Sequence, residues 1–225
     1  MADHTDTMIE ARGCRIRMMR GGGRGGSPLL FLHGAGGAGV WLPFMDRLAE
    51  RFDLNAPEHP GFGASDTPDW LDTVHDLAYF YLDFLKDHGL RGVHLVGLSL
   101  GGWIAAEIAV RCTARLATLT LVDAAGIHLP GVAQSDPFLR SEEQRIRDNF
   151  VDQAVADAVV ARALAPEMED VNLKNRTPPR AWPGSRARTT RTCRNGCTGS
   201  TCRRWSSGAR TTCCSRRSMP RPGRG

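Results

Sequence analysis

Residues 96–102 read Val-Gly-Leu-Ser-Leu-Gly-Gly, and Gly97-Leu98-Ser99-Leu100-Gly101 within them matches the pattern G-x-S-x-G. A serine in this pattern does nucleophilic chemistry when it sits where a strand turns sharply into a helix. The turn strains the serine backbone and holds its hydroxyl exposed at the top of a sheet. A Cβ at Gly97 or Gly101 would crowd such a turn, which is why both positions call for glycine. The flanking residues supply the context: Val93-His94-Leu95-Val96 reads as a short buried strand and Trp103 to Val110 as a helix. Ser99 is therefore the candidate nucleophile.

The elements that must position Ser99 follow in order along the chain. Residues 8–20 alternate loosely, with Cys14, Ile16 and Met18 on one face, and predict one or two opening strands. Pro28 to His33 holds a continuous apolar run, as in a central strand buried on both faces, and a glycine-rich loop, Gly34 to Gly39, follows it. Trp41, Phe44, Met45 and Leu48 recur at helical spacing, and Phe52 to Pro57 reads as the next strand. After the loop Pro60-Gly61-Phe62-Gly63-Ala64-Ser65, a helix from about Leu71 to His88 buries Val74, Leu77, Tyr81, Phe84 and Leu85 and stops at Gly89. Leu116 to Asp123 is a further strand. Alternating strands and helices predict an α/β fold, a mostly parallel sheet with helices on both faces. Residues 129–172 break the alternation. Ser141 starts one helix, and Val151, Val155, Val159 and Leu164 suggest another, a helical insertion over the sheet.

Three motifs in order, His33-Gly34 after a strand, Pro60 to Ser65 after the next, and Gly97 to Gly102, resemble the α/β-hydrolase family with a helical cap. The resemblance covers residues 8 to about 172. It implies that Ser99 attacks an acyl carbon and forms a covalent intermediate. It also implies an oxyanion hole built from the backbone N–H groups of Ala35 and Leu100; such donors are worth roughly 3–4 kcal/mol each in the transition state. A serine here, not an aspartate, argues against the dehalogenase and epoxide hydrolase branches. The substrate would be an ester, lactone or similar small acyl compound, with carbon–carbon bond hydrolysis of ring-cleavage products as the alternative on the same frame. No cofactor and no metal are called for. His33 is expected to hold its loop, with general-base work the lesser reading. His59, His75, His88 and His94 are expected at the surface or in packing, and Trp103 in the core or a pocket wall. Asp123 ends a strand near the site; it is expected to be a structural loop carboxylate, although some hydrolases place the triad acid there.

The family's chain order is Ser, then Asp or Glu, then His. The last histidine of this chain is His128, too early for that base, and without a base a serine hydroxyl is a poor nucleophile at neutral pH. The expected layout is thus a core over 1–128, incomplete at its C-terminal side, a partial cap over 129–176, and a tail over 177–225 predicted to lack stable structure. That tail holds 12 Arg, 8 Thr and 5 Cys but no Leu, Ile, Val, Lys, Asp, Glu or His. Residues 1–176 carry 17 basic and 24 acidic side chains, so the +5 of the whole chain comes from the tail.

An arginine-rich arm would suit nucleic acid, which gives a second class of function, a non-catalytic binding protein. Cys193, Cys197, Cys202, Cys213 and Cys214 would suit a metal, but their spacing is irregular and no histidine accompanies them. A third reading explains more: the tail is a coding sequence in the wrong frame. With suitable codons, the shifted frame from Cys193 to Ala209 reads L-Q-K-W-L-H-R-I-D-V-P-T-L-V-V-W-G. This resembles the family's next strand, with the acid-bearing loop to follow. The switch would fall near Asn175 to Pro179. No apolar run reaches the roughly 18–20 residues of a membrane span, and the N-terminus lacks a signal pattern, so a cytoplasmic protein is expected, with nucleic acid disfavoured as a partner.

Overall fold

The computed structural model describes residues 3–23, 25–126 and 140–176. The chain divides into two compact units, Met1–Ala187 and Arg188–Gly225, and every described residue lies in the first. The predicted tail, His128 and the expected boundary between core and cap fall outside the described residues.

Two opening strands form, β1 (His4–Ala11) and β2 (Cys14–Gly21), paired as an antiparallel hairpin. Arg12 and Gly13 turn it at φ 57° and 69°, the left-handed values that suit the twist of a two-residue hairpin loop. Strands β3 (Ser27–Leu32), β4 (Phe52–Pro57), β5 (Val93–Leu98) and β6 (Leu116–Val122) run parallel to one another. The six-stranded sheet has the order β1-β2-β4-β3-β5-β6, with β2 antiparallel to β4.

Helices cover both faces, as the alternation predicts. On β3, Leu30 and Leu32 face the cluster built with α2 (Val74–Asp87) and α3 (Leu100–Arg111). Leu29 and Phe31 face the cluster that holds Met45 of α1 (Pro43–Ala49). Successive strand residues point to opposite faces, so the run at 29–32 is buried on both sides and β3 sits at the centre. Helix α2 starts at Val74 and not at Leu71. Thr73 and Asp76 form a reciprocal capping box, with Thr73 N–H donating to the Asp76 carboxylate at 2.7 Å. That box satisfies two N–H groups a helix start leaves unpaired.

The cap helices are α4 (Glu142–Asp148), α5 (Gln153–Ala163) and α6 (Glu169–Arg176), with a short 3-10 turn at Pro166–Met168 before the last. The predicted stripe on α5 is corrected. Val151 precedes the helix and is fully exposed, Val155 and Leu164 are exposed, and the buried residues are Ala156 and Val160. Asp152 caps the helix by accepting from Ala154 N–H at 2.9 Å, which sets its start, and the face that packs inward is the one carrying Ala156 and Val160. β6 also departs from a central strand: Ala117 to Val122 are all exposed, and its outer edge has no partner among the described residues.

Candidate active site

The turn from β5 into α3 places Ser99 at φ 51°, ψ −111°, outside the regions a non-glycine residue ordinarily occupies. Main-chain bonds hold it there. Ser99 N–H donates to Val122 O at 2.8 Å, and Ser99 O accepts from Trp103 N–H at 3.1 Å and Ala125 N–H at 2.9 Å. The flanking glycines are forced by contact. A Cβ on Gly97 would stand 2.3 Å from Gly101 O, and one on Gly101 would stand 2.0 Å from Leu32 O. The elbow is therefore wedged against the end of β3, and strain is maintained because packing over-determines it.

The same wedge brings the glycine-rich loop to the serine. A Cβ on Gly34 would lie 3.4 Å from Ser99 Cβ. Gly34 to Gly37 forms a tight turn, closed by Gly37 N–H to Gly34 O at 3.1 Å. Ala35 lies in this turn, half-buried, and Leu100 is the first residue of α3. The first N–H groups of a helix have no intrahelical acceptor, and the helix dipole favours negative charge at that end. The Gly34 turn that holds Ala35 thus lies beside Ser99, and Leu100 follows the serine at the start of α3.

His33 and His59 lie beneath this turn, both buried, their rings stacked with centroids 3.7 Å apart. His33 Nδ1–H donates to Gly34 O at 2.7 Å, and His33 Nε2 accepts from His59 N–H at 2.9 Å. His59 Nε2–H donates to His33 O at 2.9 Å, and its Nδ1 accepts the Tyr81 hydroxyl at 2.5 Å. These partners assign both tautomers and leave no ring nitrogen open. Burial lowers His33 to about 4, and burial together with His33 lowers His59 well below its ordinary value. The geometry gives His33 a loop-holding place, with no nitrogen free for a proton from Ser99. His59 is a packing residue. His75, half-exposed, bonds Glu107 at 3.1 Å, and that bond above all, with Arg111, lowers Glu107 to about 2. Trp103 is half-buried and donates to the same carboxylate. His94, also half-buried, meets Thr118 Oγ1 at 2.9 Å, and burial lowers His88.

Asp123 follows β6 at φ 44°, exposed, one residue beyond the carbonyl that anchors Ser99 N–H.

A second anchor was not legible in the sequence. Asn175, buried near the end of α6, accepts from Gly63 N–H at 2.9 Å and donates to Gly36 O at 3.2 Å. Lys174 Nζ donates to Gly63 O at 2.6 Å and also to Ser65 O. Buried Glu58 accepts from Ala64 N–H at 2.7 Å. A cap helix thereby ties the Gly34 turn to the Pro60–Ser65 loop. Two cavities lie elsewhere. One, about 110 Å³, is lined by Met18, Arg20 and Phe84, and one of about 490 Å³ lies among the cap helices at Ala163 and Leu173. No cluster of three or more metal-binding side chains occurs among the described residues, and no helix there is long and apolar enough to cross a membrane.

A strained serine elbow at the C-terminal ends of parallel strands, with a glycine turn beside it, defines a class. Residues 27–174 match the family described as the alpha/beta hydrolase fold, and the chain belongs to that family. The dihydrolipoyllysine-residue acetyltransferase component of the acetoin cleaving system of Cupriavidus necator is 31% identical over 159 residues, 69% of this chain and 42% of that protein. A putative carbamate hydrolase, RutD, of Azorhizobium caulinodans is 32% identical over 116 residues, 51% of this chain and 41% of that protein. The 2-hydroxymuconate semialdehyde hydrolase of Pseudomonas sp. strain CF600 is 35% identical over 130 residues, 54% of this chain and 44% of that protein. The chain spans about two fifths of the length of these curated relatives. Among solved structures, naproxen esterase of Bacillus subtilis superposes with a TM-score of 0.59 at 21% identity, covering 78% of this chain and 60% of that one. At that identity the likeness is one of fold.

Proposed function

We propose that this chain carries the nucleophile half of a serine hydrolase that acts on a small ester, lactone or similar acyl substrate. The observation that carries the reading is the Ser99 elbow at φ 51° with the Gly34 turn packed against it. Ser99 Oγ would attack the acyl carbon, and the N–H groups of Ala35 and Leu100 would take the developing oxyanion. No cofactor or metal has a part in this reading. Attack requires a base to remove the hydroxyl proton. His33 and His59 are committed to other bonds, so the chain as written hydrolyses activated esters weakly or not at all. Under this reading the residues after about Asn175 to Pro179 are out of frame, and the other frame supplies the acid and the histidine.

Carbon–carbon bond hydrolysis is the second reading, favoured by the 35% identity to 2-hydroxymuconate semialdehyde hydrolase. A p-nitrophenyl ester assay on the chain and on its frame-restored counterpart tests the first reading. A coloured ring-cleavage dienoate offered to the same two proteins tests the second. Turnover in the present chain that Ser99→Ala abolishes would overturn the claim of impairment. A restored chain inert toward both substrates would overturn the hydrolase reading itself. We expect the site to work in the cytoplasm on a small molecule, with nucleic acid no partner; unchanged DNA mobility on mixing at low salt tests that.

A further inference from the structure

We propose that the cavity at the C-terminal end of α2 is a binding site for a small neutral primary amide, separate from the Ser99 site. The proposal goes beyond the hydrolase reading and is independent of it.

The cavity, about 110 Å³, is lined from β1, β2, β4, the last turn of α2 and the residues just after it. Ser99 stands at the C-terminal end of β5. Helix α2 ends at Asp87 and the chain enters β5 at Val93, so the last turn of α2 lies at the opposite end of the sheet. A water takes roughly 30 Å³ of liquid, so the space equals about three or four waters and admits a ligand of about five non-hydrogen atoms.

Polar groups converge there on an apolar wall. On β4, Leu54 and Ala56 face the cluster that holds Met45, while Asn55 points to the α2 side beside Leu30. Asn55 is 4% exposed, and a polar group so buried is costly unless it is paired. Its Nδ2–H donates to Asp53 O at 2.9 Å, which fixes the orientation of the amide, and its Oδ1 accepts from no described residue. Among the described residues, the enclosed side-chain polar atoms without a partner are Arg111 Nε and Arg145 Nε. Asn55 Oδ1 is not one of them, so it opens onto the cavity that Asn55 lines. Arg20 lies directly opposite Asn55 across the β2–β4 pair, and opposite residues share a face. Its Nη2 meets the Asp53 carboxylate at 3.3 Å, which leaves Nε and Nη1 without an acceptor among the described residues. His88 stands exposed at the rim, its ring 4.3 Å from that of Phe84. Met18, Phe84 and Leu90 supply the wall.

These groups select the ligand. Asn55 Oδ1 calls for a donor, which a carboxylate lacks. The free nitrogens of Arg20 call for an acceptor, but Asp53 already answers the charge, so the acceptor is neutral. The wall takes a short hydrocarbon. A primary amide carries N–H and C=O side by side on one planar head, one for each partner.

The test is titration of the full chain with propionamide, read by the nuclear magnetic resonance shifts of the Asn55 side-chain amide and the His88 ring. Butanone and propionate match propionamide in size and shape. Butanone puts a methyl group in place of the amide nitrogen, and propionate puts a charged oxygen there. Propionamide should bind with a Kd of about 1–10 mM, as a five-atom ligand allows. Both analogues should bind at least about tenfold more weakly, because each leaves Asn55 Oδ1 without a donor. Asn55→Leu should weaken propionamide by a similar factor. Leu90→Trp narrows the cavity and removes no polar side chain; it should do the same, and it serves where Asn55→Leu does not fold. Propionate binding as tightly as propionamide would make this an anion site on Arg20 and overturn the proposal. Equal binding of all three, shifts that fall elsewhere on the chain, or no shift at all would overturn it as well.

Discussion

Two bonds join His33 and His59, both donated by His59: its main-chain N–H donates to His33 Nε2, and its Nε2–H donates to the His33 carbonyl, each at 2.9 Å. The pair locks the end of β3 to the residues after β4, directly below the Gly34 turn that flanks Ser99. It works only while both rings are neutral, because a proton on His33 Nε2 or on His59 Nδ1 would have to displace a donor already there.

Acid should therefore unfold the protein earlier than its carboxylates alone would. Burial holds His33 at about 4 in the folded chain, against about 6.5 for an unperturbed histidine. Between those values the unfolded chain binds more protons than the folded one, so stability falls as pH drops. The contribution is complete above about pH 6.5 and is lost by about pH 4, an effect of roughly 3 kcal/mol from His33. His59 acts in the same direction. Urea melts from pH 8 to pH 4 should show this slope, and His33→Asn should be less stable at pH 7 with a shallower slope.

Gly101→Ala should be far worse than Gly36→Ala. The first places a methyl group 2.0 Å from Leu32 O and 2.6 Å from His33 O, both main-chain atoms that cannot swing aside. Overpacking of that kind costs about 3 kcal/mol or more. The second opens onto free space, where a surface change costs within about 0.5 kcal/mol. Thermal melts of the two variants should separate them clearly, and equal melting temperatures would contradict the wedge.

Asn175→Ala should loosen two loops at once. It removes the acceptor of Gly63 N–H and the donor to Gly36 O, at about 1–3 kcal/mol for buried groups left unpaired. Hydrogen exchange should quicken in residues 34–37 and 61–65 together. Exchange that changes in one loop alone would show that Asn175 does not couple them.

Restoring the other frame near Asn175 to Pro179 should turn an inert protein into one that hydrolyses p-nitrophenyl esters, and Ser99→Ala should abolish that turnover. It should also remove the arginine and cysteine excess, return the chain to net negative charge, and leave β6 covered, with a higher melting temperature. Equal activity in both proteins, or an early stop codon in the other frame, would end the reading.

The sequence alone determined the parallel strands, the helices between them and the position of Ser99. These rest on local signals. The apolar run at Leu29 to Leu32, the periodicity of α2 and the glycines around Ser99 each report the shape of a few consecutive residues. Tertiary structure decided what joins distant segments. The His33–His59 pair spans 26 residues, and Asn175 reaches Gly36 across 139 and Gly63 across 112. A lone histidine or asparagine has no periodicity to mark it, and its role appears only when packing sets its partners. The same limit governs α5, where the valine spacing pointed to one stripe and the packing of the cap helices buried Ala156 and Val160 instead. β6 shows it most plainly: its residues form a strand by their own propensity, while its exposure on both faces follows from which neighbours are there to cover it.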